Sequence, residues 1–595
     1  MNTTGTTPLD PISVEVIGAA LSSIVEEMVE TMVRAAYSTN IKERRDCTAG
    51  FFDAGGQLIA QGEHNPSHLG VLMGVVAKIV ERYDVGEIGD GDTFIANDPH
   101  SGGGTHIPDI VLACPIFVDG RLVAWAANLA HHADFGDRGH AHIFQEGLRI
   151  PPVRLLRGGE LQTDLFDLIL LNCQVPDERR PDFQAQLAAN RAAVIRFREL
   201  CARHSIPTMA AAARALLDHT DRQTRAAIRE VPDGVYTFED RFDCPELDEE
   251  LTLRVAVTVR GDELFFDFSG NPPQVRASVN MVYGALESTV YYAVKTLIDP
   301  DIVPNAGVIR SIHIEAPRGS VLNAVAPAAV NARTETSQRV VDLIHGALAP
   351  ALPERVTAAH NGSNTGFHFD GLDPRTGRYF VYLETIGGGS GARATKDGLD
   401  GVQVHVTNTS NLPVESLEQE YPLMVEAYEL VDGSGGTGEF RGGLAIRRVV
   451  RVEADGIGFW LDGTRYRSQP WGAFGGGPGA SGGWAVSDGA RPIDHGHTVL
   501  DKGDVVTITT PGAGGYGPPS RRARELVEKD LREGVISAET AHDVYGLSVS
   551  RADGGADRSA SRADGRADRS ASPADRRADR STSPADRRAD RPAGE

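Results

Sequence analysis

The spacing of apolar residues changes near residue 232, and this change constrains the fold more than any other feature of the sequence. Before it, residues 11–39 and 183–230 place apolar side chains three and four positions apart, which predicts long amphipathic helices. After it, residues 253–270 alternate apolar and polar positions and turn at Gly261-Asp262, which predicts a β-hairpin. Both patterns in one chain predict a protein that combines helices with sheets.

Further strands and helices are predicted on both sides of this change. They are hairpins over 51–60 and 110–130 and helices over 282–298, 338–352 and 520–547. The hairpin turns are Ala54-Gly55-Gly56 and Asp119-Gly120, and Pro207 separates the two helices of 183–230. Together these elements predict a large α+β protein of several layers, in which mixed and antiparallel sheets have flanking helices.

The same patterns divide the chain into four predicted regions. These are 1–231, 232–519, a helical terminus over 520–550 and a low-complexity tail over 551–595. The tail holds 11 Arg against 8 Asp and 1 Glu, with almost no large apolar residue. Such a segment cannot bury enough apolar surface to offset the entropy of ordering it, so we expect the tail to be disordered.

Glycine is dense between residues 380 and 517, in loops such as GGGSGAR and GGGPGASGG. Glycine permits positive φ angles and lets one backbone segment approach another closely. Two interpretations stay open at this point. The loops either serve such close approach, or they only join many short strands.

Composition excludes several classes of protein. The net charge of −23 argues against a nucleic-acid binder, which needs a basic face. No run of 18 apolar residues predicts a membrane span, and the N-terminus lacks the basic and apolar segments of a signal peptide. The 5 cysteines are odd in number and have no CxxC spacing, which favours reduced thiols. We therefore expect a soluble, cytoplasmic protein.

Eight of the 18 histidines lie between His64 and His142, beside several carboxylates. His106 and Asp109 are three positions apart, after three glycines, and His131-His132-Ala133-Asp134 follows an apolar strand. Neutral imidazole and carboxylate are common ligands of zinc, manganese and iron, so a divalent-metal site is one interpretation. The alternative is that these are ordinary hydrogen-bonded histidines, and the spacing alone does not decide between the two.

Nine segments in order along the chain carry a resemblance to a known family. They are NIKERRDCTAGFFDAGG, NDPHSGGGTHIPDI, AHHADFGD, EGLRIPPVRL, PNAGVIR, GGGSGARATKDG, NTSNLPVESLEQEYPL, FRGGLAIRR and TPGAGGYG. They resemble the hydantoinase B/oxoprolinase family, which includes the B subunits of N-methylhydantoinase and bacterial 5-oxoprolinase. Caprolactamase and subunits of acetone and acetophenone carboxylases are related, and the match runs from about Pro8 to Tyr545.

The resemblance implies a set of metal ligands. Carried over motif by motif, the ligands of a divalent ion (manganese, zinc or iron) are Asp46, His106, Asp109 and His131. For Asp46 the alternative is an ion pair with Arg44 or Arg45. His132 and Asp134 are the candidates for moving a proton.

The resemblance also implies that ATP, with Mg²⁺, is handled by a separate hydantoinase A-like subunit. This chain contains no GxxxxGK[ST] phosphate-binding loop. The partner would phosphorylate the amide oxygen of a small cyclic amide, and hydroxide formed at the metal would attack the activated carbon. Arg149 and Arg333 are candidates for binding phosphate or carboxylate, and Glu384 is a further candidate for the pocket.

Two other functions fit the same sequence. The chain could be a subunit of an ATP-dependent carboxylase of the acetone or acetophenone type, for which a third, small subunit would be expected. It could also be a non-catalytic scaffold for the ATP-binding subunit. In each case we expect a hetero-oligomer, either a heterodimer or a dimer of heterodimers, without nucleic acid or membrane as a partner.

Overall fold

The computed structural model describes residues 9–62, 66, 70–133, 135, 141–487 and 497–548. The helices are α1 Pro11–Ala35, α2 Thr39–Lys42, α3 Met73–Arg82, α4 Thr163–Leu171, α5 Pro176–His204, α6 Ile206–Ile228, α7 Tyr283–Leu297, α8 Arg333–Leu348, α9 Val414–Glu420, α10 Arg524–Glu533 and α11 Ala538–Asp543. The strands before residue 320 are β1 Cys47–Asp53, β2 Leu58–Gln61, β3 Thr93–Ala96, β4 Asp109–Val118, β5 Arg121–His131, β6 Val153–Arg157, β7 Glu160–Leu161, β8 Gly234–Phe242, β9 Leu251–Arg260, β10 Glu263–Asp267 and β11 Ile312–Glu315. The later strands are β12 Gly366–Asp373, β13 Arg378–Thr385, β14 Leu423–Val431, β15 Ala445–Val452, β16 Ile457–Asp462, β17 Gly483–Val486, β18 His497–Leu500 and β19 Val505–Thr509. The predicted α+β class is confirmed.

The first seven strands form one antiparallel sheet in the order β2-β1-β5-β4-β3-β6-β7. Helix α5 packs on β4 and β5, and α1 packs on α5 and α6. The apolar face of α1, which includes Val25, Met28 and Met32, is buried in that layer. Burial of this stripe is what stabilises so long a helix in water.

The predicted hairpins of this half are present. At the tip of the β4–β5 hairpin, Asp119 (φ 51°) and Gly120 (φ 71°) both adopt the left-handed conformation that a two-residue type I′ turn requires. The predicted break between α5 and α6 is also present, but it lies at Ser205 and not at Pro207. Ser205 has φ 69° and its side chain caps the amide of Thr208, while Pro207 occupies the first turn of α6.

The change of periodicity near residue 232 coincides with the step from α6 to a second sheet. This sheet has the order β11-β10-β9-β8, with β10 and β11 parallel and the other neighbours antiparallel. The buried helix α8 packs on β8, β9 and α7. Its first residue, Arg333, contacts Thr105 and Asp109, so α8 links the second sheet to the start of β4.

Two further sheets share one apolar core. Their orders are β13-β12-β16-β18 and β14-β15-β19-β17, and all neighbouring strands are antiparallel. Phe369 and Phe459 from the first sheet and Val450 and Ile508 from the second belong to the same buried cluster. Two sheets that bury one face each against the other form a sandwich layer.

The glycine-rich loops pack backbone against backbone. A Cβ added at Gly442 would lie 1.9 Å from the carbonyl oxygen of Ala513. Between these segments, Gly436 N donates to Ala513 O at 2.8 Å, and Ala513 N donates to Gly443 O at 3.1 Å. Of the two interpretations that the sequence left open, close backbone approach is the one observed.

The described residues up to Ser548 group into one compact unit. The division into 1–231 and 232–519 therefore stays a prediction about regions, and the tail 551–595 lies outside the described residues. No helix in the described part of the chain has the length and apolarity to cross a membrane. All 5 cysteines are free thiols.

Candidate metal centre

Three neighbouring strands of the first sheet meet at one end, and each carries one of the expected ligands there. β1 begins directly after Asp46, β5 ends at His131 and β4 begins at Asp109. Asp109 is the register partner of His131, and His131 N donates to the carbonyl oxygen of Asp46 at 3.0 Å. Because β5 lies between β1 and β4, the sheet brings together residues that are far apart in the sequence.

His106 joins this group from the turn before β4. Its Nε2 lies 3.1 Å from Asp109 Oδ1. One ligand atom each from His106, Asp109 and His131 lie within 4.8 Å of one another, and Asp46 lines the same cavity. All four residues that the resemblance implied as ligands therefore border one cavity.

The protonation of His106 fits a cation between it and Asp109. Its Nδ1 lies 3.1 Å from the carbonyl oxygen of Asn331, which can only accept, so Nδ1 carries the proton. The lone pair of Nε2 then faces a carboxylate oxygen, and Nε2 has no hydrogen-bond partner among the described residues. Burial, followed by the charge of Arg333, lowers the pKa of His106, so the ring is neutral as a ligand must be.

The side chains of Asp109 and His131 are each held by further residues. Asp109 Oδ2 accepts hydrogen bonds from Arg333 Nη2 at 2.9 Å and from Thr105 Oγ1 at 3.0 Å. Asn40 Nδ2 lies 2.9 Å from His131 Nδ1 and donates to the His131 carbonyl oxygen at 2.6 Å. Outer contacts of this kind orient metal ligands. The donor set of imidazoles and carboxylates suits manganese, zinc or iron.

The cavity extends from these residues to the start of α8 and to strands β12, β13 and β16. The space in it that admits water-sized molecules is about 80 Å³, within a larger recess that opens to solvent. Its further lining includes Arg44, Glu335, Thr385 and Asp462. A pocket with so many convergent polar groups is typical of a small-molecule site.

Glu335 is a cavity residue that the sequence did not indicate. It is 2% exposed, and its carboxyl group accepts hydrogen bonds from Asn364 N and Ser363 Oγ, each at 3.0 Å. Burial, with a further contribution from the charge of Asp462, raises the pKa of Glu335 to about 8. Glu335 therefore carries a proton at neutral pH. The surrounding helix sequence RTETSQR does not indicate a raised pKa, because only the packing of α8 buries this glutamate.

The alternative ion pair of Asp46 is not formed in the described part of the chain. Arg45 pairs with Glu30 at the surface. Arg44 is buried and donates to Asn40, Leu383 and Thr385. Asp46 is therefore held at the cavity without a salt bridge to either neighbouring arginine.

The structure does not bring His132 to the cavity. Successive residues of a strand face opposite sides, so His131 and its neighbour point apart. His132 is fully buried, with its ring 4.8 Å from Phe183 and its Nε2 3.0 Å from Gln186 Oε1. Burial lowers the pKa of His132 to about 4, against the opposing charge of Asp182. Asp134 lies outside the described residues.

The other residues singled out from the sequence are engaged in ion pairs. Arg149 contacts both oxygens of Asp98, at 3.1 and 2.9 Å. Arg333 borders the cavity but pairs with Asp109 at 2.9 Å. Glu384 lies away from the cavity lining and pairs with the buried Arg448 at 3.2 Å. Their observed contacts are those of structural salt bridges.

Comparison with known proteins matches nearly the whole chain. The family profile described as hydantoinase B/oxoprolinase matches residues 10–519. Caprolactamase subunit beta of Pseudomonas jessenii is 31% identical over 585 residues, which cover 93% of this chain and 98% of the relative. 5-Oxoprolinase 1 of Arabidopsis thaliana is 30% identical over 547 residues, which cover 85% of this chain but only 42% of that relative.

Two solved structures share the fold. The crystal structure of ATP-dependent caprolactamase from Pseudomonas jessenii superposes with a TM-score of 0.84 at 30% identity, covering 92% of this chain and 98% of the other. A nucleotide-free structure of acetone carboxylase superposes with a TM-score of 0.84 at 19% identity, covering 92% of this chain and 81% of the other. The second likeness concerns the fold alone.

Proposed function

The chain belongs to the hydantoinase B/oxoprolinase family, and from that premise we propose that it is the metal-bearing catalytic subunit of an ATP-dependent enzyme that opens a cyclic amide. Hydantoin, 5-oxoproline and larger lactams are the substrate class. The observation that carries the proposal is the cluster of His106, Asp109 and His131, with Asp46 on the same polar cavity. The names of the relatives, caprolactamase and 5-oxoprolinase, support the reaction type.

In this proposal Asp46, His106, Asp109 and His131 hold one manganese, zinc or iron ion. When bound, the ion supplies Lewis acidity, which lowers the pKa of water toward neutrality. Arg333 and Thr105 keep Asp109 oriented, and Asn40 does the same for His131.

Ring opening breaks a carbon–nitrogen bond, and the leaving nitrogen needs a proton. Glu335 lines the cavity and is protonated at neutral pH, so it can supply that proton. It replaces His132 as our candidate, because His132 lies in the core. Asp134 stays a candidate from the sequence.

We assign ATP, with Mg²⁺, to a hydantoinase A-like partner subunit. The chain has no GxxxxGK[ST] loop, and a relative of matching length is named as a beta subunit. In 5-oxoprolinase 1 the matching region is 42% of the polypeptide, which leaves length for another component. The assembly would be a hetero-oligomer that acts on a small molecule, and the free thiols favour the cytoplasm.

The proposal is tested by the metal content of the purified chain. Inductively coupled plasma mass spectrometry should find close to one manganese, zinc or iron ion per chain. His106→Ala and Asp109→Asn should each lose it, because each removes a charge or lone pair from the cluster. His313→Ala, at a half-exposed histidine of another sheet, is the matched control and should keep the metal. Wild-type protein that stays free of metal after incubation with each ion would contradict the proposal.

A carboxylase subunit of the acetone or acetophenone type is the second candidate, because the motifs of the chain resemble those subunits as well. Reconstitution with the partner separates the two functions. Hydrolysis yields a ring-opened acid without bicarbonate, whereas carboxylation consumes bicarbonate and calls for a third subunit. The same assay tests a scaffold role, since a scaffold would keep full activity in Asp109→Asn.

A further inference from the structure

We propose that Arg44 forms an anion-binding subsite in the cavity, for a phosphoryl or carboxylate group of the molecule bound there. Both groups present negatively charged oxygens, which a guanidinium binds by hydrogen bonds and by charge. The identity of the bound molecule rests on the proposed function. The subsite itself is argued from the contacts of Arg44.

Every hydrogen bond that Arg44 donates goes to a neutral oxygen. Its Nη1 donates to Asn40 Oδ1 at 2.7 Å and to the carbonyl oxygen of Leu383 at 3.0 Å. Its Nη2 donates to Thr385 Oγ1 at 2.8 Å. The guanidinium is 3% exposed, and its Nε has no hydrogen-bond partner among the described residues.

The other buried arginines of the described chain differ from Arg44 in one respect. Each of them forms an ion pair with Asp or Glu: Arg179, Arg333, Arg339, Arg441, Arg448, Arg465 and Arg522. Among the described residues, no carboxylate forms such a pair with Arg44. A guanidinium stays charged at neutral pH, and a buried charge without a counter-charge is costly. Arg44 is therefore a buried cation for which a bound anion would supply the counter-charge.

The free donors of Arg44 have the geometry for an oxyanion. Nη2 donates one hydrogen bond, to Thr385, and Nε donates none among the described residues, so each nitrogen has one N–H group left for a further acceptor. Nε and Nη2 share one edge of the planar guanidinium, and such an edge can bind two oxygens of a carboxylate or phosphate.

The position of Arg44 ties the subsite to the metal-ligand cluster. Arg44 borders the same cavity as Asp46, His106 and His131. Asn40 accepts from Arg44 and contacts His131, so one amide connects the two groups. Thr385 and Thr409, whose hydroxyl groups are 3.0 Å apart, add polar contacts to the same wall.

The subsite is tested by titrating the full-length chain, freed of divalent ions, with inorganic phosphate and with acetate in a calorimeter. We expect one site, at least tenfold weaker in Arg44→Gln and of intermediate affinity in Arg44→Lys, which keeps the charge but not the fork. The adjacent surface variant Arg45→Gln is the matched control and should bind within twofold of wild type. Tighter binding of phosphate identifies a phosphoryl group as the natural ligand, and tighter binding of acetate a carboxylate.

Absence of binding by wild-type protein, or unchanged binding by Arg44→Gln, would overturn the proposal. Should Arg44→Gln fail to fold, wild-type crystals soaked in tungstate decide the matter. Density beside Arg44 supports the subsite, and its absence there overturns it. Neither measurement needs ATP, the partner or turnover, so a chain that binds the anion but neither metal nor substrate would refute the proposed function alone.

Discussion

Glu335 shows at the residue scale how the fold changes the chemistry of a side chain. Its carboxyl group would lose its proton near pH 4.5 in water, but burial raises the pKa to about 8 in the folded chain. Between these values the folded protein holds a proton that the unfolded chain has lost. The free energy of unfolding therefore falls as the pH rises through this range.

We predict that Glu335→Gln removes this contribution, because the amide cannot ionise. Between pH 5 and pH 8 the free energy of unfolding should fall less in the variant than in wild type. The two slopes should differ by up to about 1.4 kcal/mol per pH unit. Urea unfolding of metal-free protein at both pH values measures the difference. The exposed Glu249→Gln is the control and should follow wild type. Equal pH dependence of Glu335→Gln and wild type would show that Glu335 is ionised in the folded state.

At the scale of elements, strand register decides the composition of the candidate metal centre. Asp109 and His131 are register partners in β4 and β5, and β1 starts beside them at Cys47. A register shift of one residue would turn every side chain of a strand to the other face. The register therefore sets which of His131 and His132 borders the cavity.

The glycine-rich loops are the elements with the least room for a side chain. Because a Cβ at Gly442 would meet the carbonyl oxygen of Ala513, we predict that Gly442→Ala lowers the free energy of unfolding by about 3 kcal/mol or more. Gly483→Ala, in β17, should change the free energy of unfolding by less than about 1 kcal/mol, because no atom lies within 4 Å of the position that the added Cβ would take. Urea unfolding compares the two variants. Similar stability of the two variants would mean that the loops can move apart without lowering the free energy of unfolding.

At the scale of the whole molecule, the described residues up to Ser548 form one compact unit. Its last helices belong to that unit: Arg522, next to α10, pairs with Asp397 at 2.7 Å and with Asp530 at 2.6 Å. The composition of residues 551–595 offers almost no apolar surface to bury.

We predict that truncation after Ser550 leaves thermal stability, metal content and activity with the partner unchanged. Truncation after Pro519 should lower the melting temperature, because it removes Arg522 and the buried Val527 from the unit. Differential scanning fluorimetry and the reconstituted assay measure both. Loss of activity in the variant that ends at Ser550 would assign the tail a role that its composition does not indicate.

The sequence by itself determined the local structure and the family. Hydrophobic spacing depends on neighbours a few positions apart, so it located α1, the β4–β5 hairpin and the step from α6 to the second sheet near residue 232. The ordered motifs indicated the family and the four implied ligands, which the structure places around one cavity. His106 and Asp109 were close enough in the chain to be recognised as a pair.

Only the tertiary structure decided which distant residues share a site and what charge they carry. The order β1-β5-β4 placed Asp46 beside His131, and strand alternation sent His132 into the core. The burial of α8 kept Glu335 protonated, and Arg44, unlike the other buried arginines, forms no ion pair with a carboxylate among the described residues. These properties depend on contacts between segments far apart in the chain and on exclusion of water, neither of which local sequence encodes.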